Sequence, residues 1–575
     1  MAFDSFVCQA VCAELQTILS SKIVKIHQTD NYSIVFKYYG LKKNGLLLIS
    51  ANPENARIHF LEQGGKNPLK PPLFCMVLRK HLEGGQISAI RQIDLERIIE
   101  IDFATRDDLG DPTVCRLIIE IMGKHSNIIL VNKDNLIIDG IKRYSHKLSR
   151  HRQVLPGQAY IPPPPQNRWL LKGWEEEQLA GKIWQLPAET ILTEAINKTA
   201  AGFSPLLAKE AVKRANLEEK TIVGTCGHYE ISRLKQALDS IYNHETQPVI
   251  HYHKQKLLDY AAFPLLIWQN EEENFSSISQ LLDYFYKHKE ALQLFNNHQR
   301  ELVKIIKAHH NRLKKKIKLQ ERDFAKSQAG DSYKECGDLL AANLYLLEKG
   351  LETIRLESFY EPGKIYDIEL KPELTPSANV QRYYRLYNKA KKGHKMIEEQ
   401  LTENRQEEIY LASVLVNIEQ CQDLAELAEI RSELAAEGYL KTHKKLDKNK
   451  NKPLPPRSFL SQDGFTILVG RNNKQNDRLT LKMADKKDLW LHTQKIPGSH
   501  VIIKAGHQEI PLTTIEEAAR LAAWYSKAQT SSQVPVDYTT ADQVKKPRGA
   551  KPGMVIYFEQ KTLYVTPQKP DDHSL

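Results

Sequence analysis

Cysteine is scarce in this 575-residue chain, and what there is does not pair. The seven residues, Cys8, Cys12, Cys75, Cys115, Cys226, Cys336 and Cys421, are scattered and odd in number, with no CxxC pair. That argues against a disulfide framework and leaves no zinc set, since Cys8 and Cys12 share a helical face but two soft ligands need two more. They read as small apolar fillers in a reducing compartment. No stretch reaches the ~20 apolar residues of a membrane span. The opening MAFDSFVCQAVCAEL carries Asp4 early and lacks the basic start of a signal peptide. The expectation is a cytoplasmic protein with no membrane partner. A P-loop, GxSxG, HExxH and paired carboxylates at telling spacing are also missing, so no catalytic residue, metal or cofactor is expected.

Positive charge is what the chain has in excess. Lys and Arg number 81 against 70 acidic residues, a formal net charge of +11 that favours polyanionic partners but also suits an ordinary enzyme of this size. The length allows about three to five domains. The most informative stretch is DLWLHTQKIPGSHVII, Asp488 to Ile503. Two short strands flank the turn dipeptide Pro497-Gly498. Trp490, His492 and His500 offer π faces and ring donors, and with Asp488, Ser499, Lys495 and Lys504 they suit unstacked bases and phosphates. The other reading is a buried Trp with hydrogen-bonded histidines in a small β domain. Loops on either side carry Arg471, Asn472, Lys474, Arg478, Lys545, Lys546, Arg548 and Lys551, with Gly549 and Gly553 allowing close backbone approach.

Upstream, Asp4 caps a helix with Val7, Val11, Leu15 and Ile18 on its apolar face. Strand-like runs follow in two groups, from Lys22 to Leu61 and from Arg97 to Ile141, ended by the proline-rich Ile161–Gln166. Residues 169 to 264 read as helical around GFSPLLAKEAVKRA, where Gly202-Phe203-Ser204-Pro205 make a turn and cap. From Ile278 to Tyr439, stripes Leu302, Ile305, Ile306, Leu313, Ile317 and Ile397, Leu401, Leu411, Leu415, Ile418 predict an antiparallel coiled coil around a small helical lobe. Residues 301 to 326 hold nine Lys/Arg against three acids. Lys304, Arg312, Lys314, Lys315 and Lys316 of that run are either a solvated face or a rod for structured RNA. Thr442 to Arg457 is polar and proline-broken, and reads as a flexible basic tether.

The Gly464–Ala484, Asp488–Ile503 and Val536–Tyr557 segments together resemble the RNA-binding domain of the NFACT family, once labelled fibronectin-binding protein A-like, and the resemblance extends over nearly the whole chain. It implies a multidomain α+β protein: a formamidopyrimidine-glycosylase-like domain (1–168), a helix-hairpin-helix domain (169–277), a coiled coil with a tip lobe (278–441), a basic linker (442–457) and an α/β RNA-binding domain (458–575). Glycosylase chemistry is not expected, because Ala2 stands where the attacking proline would be. The resemblance assigns tRNA contacts to Glu96 and Arg97, the acid being Asp in the family pattern, and to the Glu-hydrophobic-Met-Gly stretch with its turn, Glu120, Ile121, Met122, Lys124 and His125. It implies a non-enzymatic rescue factor that binds obstructed large (50S) ribosomal subunits through 23S rRNA and a stalk-base protein. Peptidyl-tRNA, alanyl-tRNA and a small S4-like RNA-binding partner complete the assembly, and the nascent chain receives an alanine tail that marks it for degradation. Other readings are a fibronectin-binding adhesin, a DNA glycosylase and a generic RNA chaperone. No further C-terminal domain of the eukaryotic kind is expected.

Overall fold

The computed structural model describes residues 3–570 apart from 42–43, 66, 108, 146–151, 165–167, 171–172, 254–255, 269–270, 328–329, 362, 442–452 and 507. The chain divides into two units, Met1–Leu292 and Gln293–Leu575.

In the first unit, Asp4 lies extended and accepts the Val7 N–H at 2.8 Å, which starts α1 (Ser5–Leu15) and buries Phe6, Val7, Val11 and Leu15. Strands β1 (Lys22–Gln28), β2 (Ser33–Tyr39), β3 (Asn44–Ser50) and β4 (Arg57–Leu61) form a meander; α2 (Leu73–Leu82) follows. A second meander is β5 (Gln86–Gln92), β6 (Ile98–Arg106), β7 (Pro112–Glu120), β8 (Asn127–Val131) and β9 (Ile137–Gly140). The two join where Lys22 meets Gln86, giving a nine-stranded sheet in the order β4-β3-β2-β1-β5-β6-β7-β8-β9. Both strand groups agree with the sequence reading. Helix α2 and strand β5 were not anticipated, although Phe74, Cys75, Leu78 and Leu82 bury one helical face.

Helices α3 (Glu176–Ile183), α4 (Leu192–Thr199), α5 (Pro205–Arg214) and α6 (His228–Tyr242) come next. The expected helical text to Pro264 stops short, because β10 (Val249–His253), β11 (Lys256–Ala261) and β12 (Glu272–Asn274) form a three-stranded sheet. The β-branched Val249 and Ile250 and the aromatic Tyr252 favour a pleated surface over a helix. Phe6 meets Phe203 and Phe263 edge-on at 5.6 and 6.2 Å, and one core runs from Phe3 through Leu207 to Tyr286. A cut at 168/169 therefore separates sheet from helices without separating cores.

Helix α7 (Ile278–Ser327) begins in that core. In the second unit its Leu302, Ile306, Leu313 and Ile317 pack with Leu401, Leu411 and Ile418 of α9 (Pro376–Glu419), introduced after α8 (Gly330–Ala342) and the hairpin β13 (Thr353–Glu357) and β14 (Ile365–Glu369). Gln299 reaches the Ile418 carbonyl, Lys316 reaches Asn404 and Gln320 reaches Gln400, so the pairing is antiparallel, as the stripes predict. The lobe is not all-helical: Leu356 and Ile368 of the hairpin share its core with Leu339 and Leu340.

Helix α10 (Leu424–Ala436) adds Leu427, Ile430 and Leu434 to the coiled-coil core. The C-terminal domain comprises β15 (Arg457–Leu460), β16 (Thr466–Val469), α11 (Asn473–Arg478) running into a π-helical turn Leu479–Met483, β17 (Leu489–Thr493), β18 (Val501–Ile503), α12 (Leu512–Trp524), β19 (Val534–Thr540), β20 (Val544–Lys545), β21 (Ile556–Tyr557) and β22 (Lys561–Val565). Its main sheet has the order β15-β16-β18-β17-β19-β22, and α12 covers one face with Ala518, Ala519 and Ala522. Most of the expected tether lies outside the described residues. Its end does not hang free: Leu454 N–H donates to Glu429 at 2.7 Å, and Arg457 is buried against Glu426 at 2.9 Å. The domain is docked on α9 and α10, where Asn473 also bonds Ser413 at 3.0 Å.

Candidate RNA interface

Asp94 and Leu95 turn the chain between β5 and β6 with φ of +40° and +56°, and this left-handed pair delivers Glu96 and Arg97. Gln92 holds the turn by donating to the carbonyls of Glu96 (2.9 Å) and Ser5 (3.0 Å), and the Arg97 carbonyl accepts from Ile121 N–H at 2.8 Å. Across from it, Gly202 at φ +85° lets the chain reverse into α5, which Ser204 caps by accepting Leu207 N–H at 3.3 Å. A hypothetical side-chain carbon on Gly202 would lie 3.5 Å from Leu95, so the two turns face each other closely. Between them is a cavity of about 620 Å³ lined by Glu96, Arg97, Arg168, Asn197, Phe203 and Asp4, among others.

The cavity has carboxylate acceptors, guanidinium donors and an apolar ring in one place. Arg168 donates to the Phe203 carbonyl at 3.2 Å; burial lowers its basicity, Glu96 opposes that and Arg97 adds to it. Burial pushes the Asp4 carboxyl up to about 6, against the pull of the Val7 and Phe6 N–H groups and of Arg97, with Asp259 adding to the rise. A carboxylate can accept from an exocyclic base amine while guanidinium planes pair or stack, so the arrangement can hold an unstacked base.

The second expected contact stretch is largely structural. Glu120 is 1% exposed; Arg152 grips both its oxygens at 2.6 and 2.5 Å and Tyr160 donates to it at 2.9 Å. A carboxylate so enclosed has no edge to offer a base, which corrects its expected role. Ile121 is buried and Met122 half-buried against the Ile98–Val154 cluster. Lys124 and His125 are exposed, on a 3₁₀ turn rather than a β turn.

On the coiled coil, Lys304, Arg312, Lys314, Lys315 and Lys316 are all exposed, with Lys314 3.7 Å from Glu408. In the C-terminal domain the buried-Trp reading holds for the central aromatics. Trp490 has no exposure and is packed by His492, His500 and Tyr557 at 5.8, 5.3 and 4.8 Å, so it is not an open stacking platform. His500 is buried between Thr480 (2.8 Å) and the Gly553 carbonyl (3.2 Å), and burial keeps its ring neutral. Half-buried His492 is held down to about 4, chiefly by desolvation. Asp488 is buried, accepting from Ala505 N–H at 2.9 Å and Lys504 at 2.6 Å. Gly498 and Ser499 are buried, Pro497 half-buried; a side chain on Gly498 would strike Ser526. Arg471 and Lys551 pair with Glu426 and Glu437, Asn472 bonds Glu429, and Lys546 pairs with Asp477. Lys545 differs from these neighbours in being exposed with no ion pair among the described residues.

Residues 4–453 match the family of NFACT N-terminal and middle domains, and residues 456–557 match the NFACT protein RNA binding domain. The chain belongs to the NFACT family. It is 39% identical to the Rqc2 homolog RqcH of Bacillus subtilis over 99% of this chain and 98% of that one, and 36% identical to that of Streptococcus suis over the same shares. A solved structure described as the fibrinogen binding protein from Staphylococcus aureus is 30% identical, covering 50% of this chain and 99% of its own, with a TM-score of 0.43.

For this NFACT protein, sequence reasoning reached Glu96, Arg97 and the Gly202–Pro205 turn separately and did not bring them together. It missed Arg168, Asn197 and the cavity side of Asp4. A lone Arg just past a proline run was the available signal, since proline is kept out of helix interiors and central strands. Among the described residues no cluster of His, Cys, Asp and Glu could hold a metal, and no helix is long and apolar enough to cross a membrane.

Proposed function

We propose that this protein is a ribosome-associated quality-control factor. It binds large ribosomal subunits that still carry an obstructed peptidyl-tRNA, recruits alanyl-tRNA and supports alanine tailing of the stalled chain without mRNA, marking it for degradation. The observation that carries the reading is the meeting of the Glu96–Arg97 turn with the Gly202–Pro205 cap around one cavity, in a chain aligned end to end with relatives named RqcH. In this reading the cavity takes a base of the tRNA anticodon. The exposed cations of α7 face 23S rRNA, the lobe meets the stalk base, and a small S4-like protein assists. The N-terminal sheet is a glycosylase-like scaffold without glycosylase chemistry. Peptide transfer belongs to the ribosome, and the protein contributes the positioning of tRNA.

The test is sequencing RNA that co-purifies with the wild type and with Glu96→Ala/Arg97→Ala. Alanine tRNA and large-subunit rRNA should be enriched, with the tRNA absent and the rRNA kept in the double variant. Retention of tRNA by the variant would remove the anticodon assignment; absence of both RNAs from the wild type would remove the function.

A further inference from the structure

Four carboxylates on α10 and its cap, Glu426, Glu429, Glu433 and Glu437, follow one another at spacings of three, four and four and so share a face. Every one is taken up by the C-terminal domain. Glu426 pairs with Arg457 and Arg471, Glu429 accepts from Asn472 at 2.7 Å, Glu433 accepts the Lys474 N–H at 3.1 Å, and Glu437 pairs with Lys551 at 2.8 Å. The Lys551 ammonium also sits over the rings of Tyr410 and Tyr439, at 5.6 and 5.3 Å. Arg457, Arg471 and Lys551 are thus already paired with fixed anions, and a phosphate brought to the same place would meet four glutamates.

A different surface of the domain keeps its charge unspent. Helix α11 passes directly into the π-helical turn, which places Lys482 four residues after Arg478. Val544 of β20 packs with Leu479 of that turn in one buried cluster, and Lys546 pairs with Asp477, so the 545–548 loop is pinned beside α11. Arg478, Lys482, Lys545 and Arg548 are all exposed there and form no ion pair among the described residues. Asp477 is neutralised by Lys546, and Asp542 accepts from Gln543. The π-helical turn, a rare conformation that recurs at functional sites, presents Leu481 at 42% exposure among these cations.

We propose that Arg478, Lys482, Lys545 and Arg548 form the face by which the C-terminal domain holds an RNA phosphate backbone, and that Arg471, Asn472 and Lys551 clamp the domain to α10 instead. The assignment rests on the proposed function only in taking RNA as the partner. The test uses the full chain and a fluorescein-labelled RNA hairpin, titrated by anisotropy across a range of salt. Changing all four residues to Gln should lower the slope of log K against log salt by about 3 to 4, roughly 0.7–0.9 for each phosphate no longer neutralised, with the melting temperature unchanged because all four are exposed. Lys551→Gln should keep the wild-type slope and melt earlier. A quadruple variant with the wild-type slope, or a Lys551→Gln variant that drops a unit of slope while melting normally, overturns the assignment. Co-sedimentation with purified large ribosomal subunits separates the two failures. If the wild type sediments with them and the quadruple variant keeps its slope, only the surface is wrong; if the wild type neither sediments nor binds the hairpin, both proposals fall.

Discussion

Replacing Glu120 by Ala tests whether that residue is a strut or a reader of RNA. Its side chain is fully buried and Arg152, at 10% exposure, has both donating arms on it, so truncation takes away the carboxylate that a nearly enclosed guanidinium holds at both ends. Breaking a buried pair from one side costs about 3–5 kcal/mol. The Tyr160 hydroxyl is deprived of its acceptor as well, worth about 1 kcal/mol more. Against a domain stability of about 5–15 kcal/mol, such a cost leaves a marginal fold. Arg152→Ala should cost about as much, and the double variant less than the sum, because the second change removes the charge the first exposed. Hydrogen exchange read by mass spectrometry over β7 and β8, with urea denaturation alongside, gives the cost, and tRNA binding below the melting transition gives the function. Single variants that stay within about 0.5 kcal/mol of wild type while failing to bind tRNA would refute the strut and restore Glu120 as an RNA ligand.

Three further outcomes follow from burial and backbone geometry. Asp4, whose carboxyl is raised to about 6, contributes stability that is complete below its unfolded value of 3.8 and lost as pH rises through 6; Asp4→Asn keeps the cap and should stabilise the first unit at pH 8 by up to about 3 kcal/mol in urea denaturation, with little gain at pH 4. His492 has the opposite sign: lowered to about 4, it supports the C-terminal domain fully above pH 6.5 and less as pH falls toward 4, by up to about 1.4 kcal/mol per unit, so the fall in melting temperature over that window should flatten in His492→Phe. Gly202→Ala forces a left-handed alanine at about 1–2 kcal/mol, with its methyl in ordinary contact with Leu95 and Ser5, so stability in urea denaturation should drop by that amount and tRNA affinity with it; an unchanged affinity would separate the cap from the Glu96 turn.

Periodicity made the two meanders, the capped helix at Asp4 and the coiled-coil stripes legible, because burial on one face leaves a period in the sequence. It could not expose α2, whose ten residues carry too few turns to stand out, or the β10–β12 sheet hidden among helices. Composition misled in the C-terminal domain. Lys551 and Arg471 look the same in sequence as Arg478 and Arg548, and what separates them is the row of glutamates on α10, whose members lie 45 residues from Arg471 and 114 from Lys551 in the two pairs that form. Trp490 was open to both readings, since a buried and a stacking tryptophan share the same letter. The cavity between the Glu96 and Gly202 turns escaped because it draws on Asp4, Glu96, Arg168 and Gly202, and no local window spans them.

Leucine is an unfavourable choice for a left-handed backbone, yet position 95 uses it immediately before the pair that faces the cavity. Its side chain is half-buried beside Gly202, which fixes the bend from within. A glycine there would relax the peptide and surrender that anchor. The protein thus accepts a locally costly bend in return for a carboxylate and a guanidinium that arrive already aimed, so a ligand entering the cavity would meet groups with less ordering left to perform.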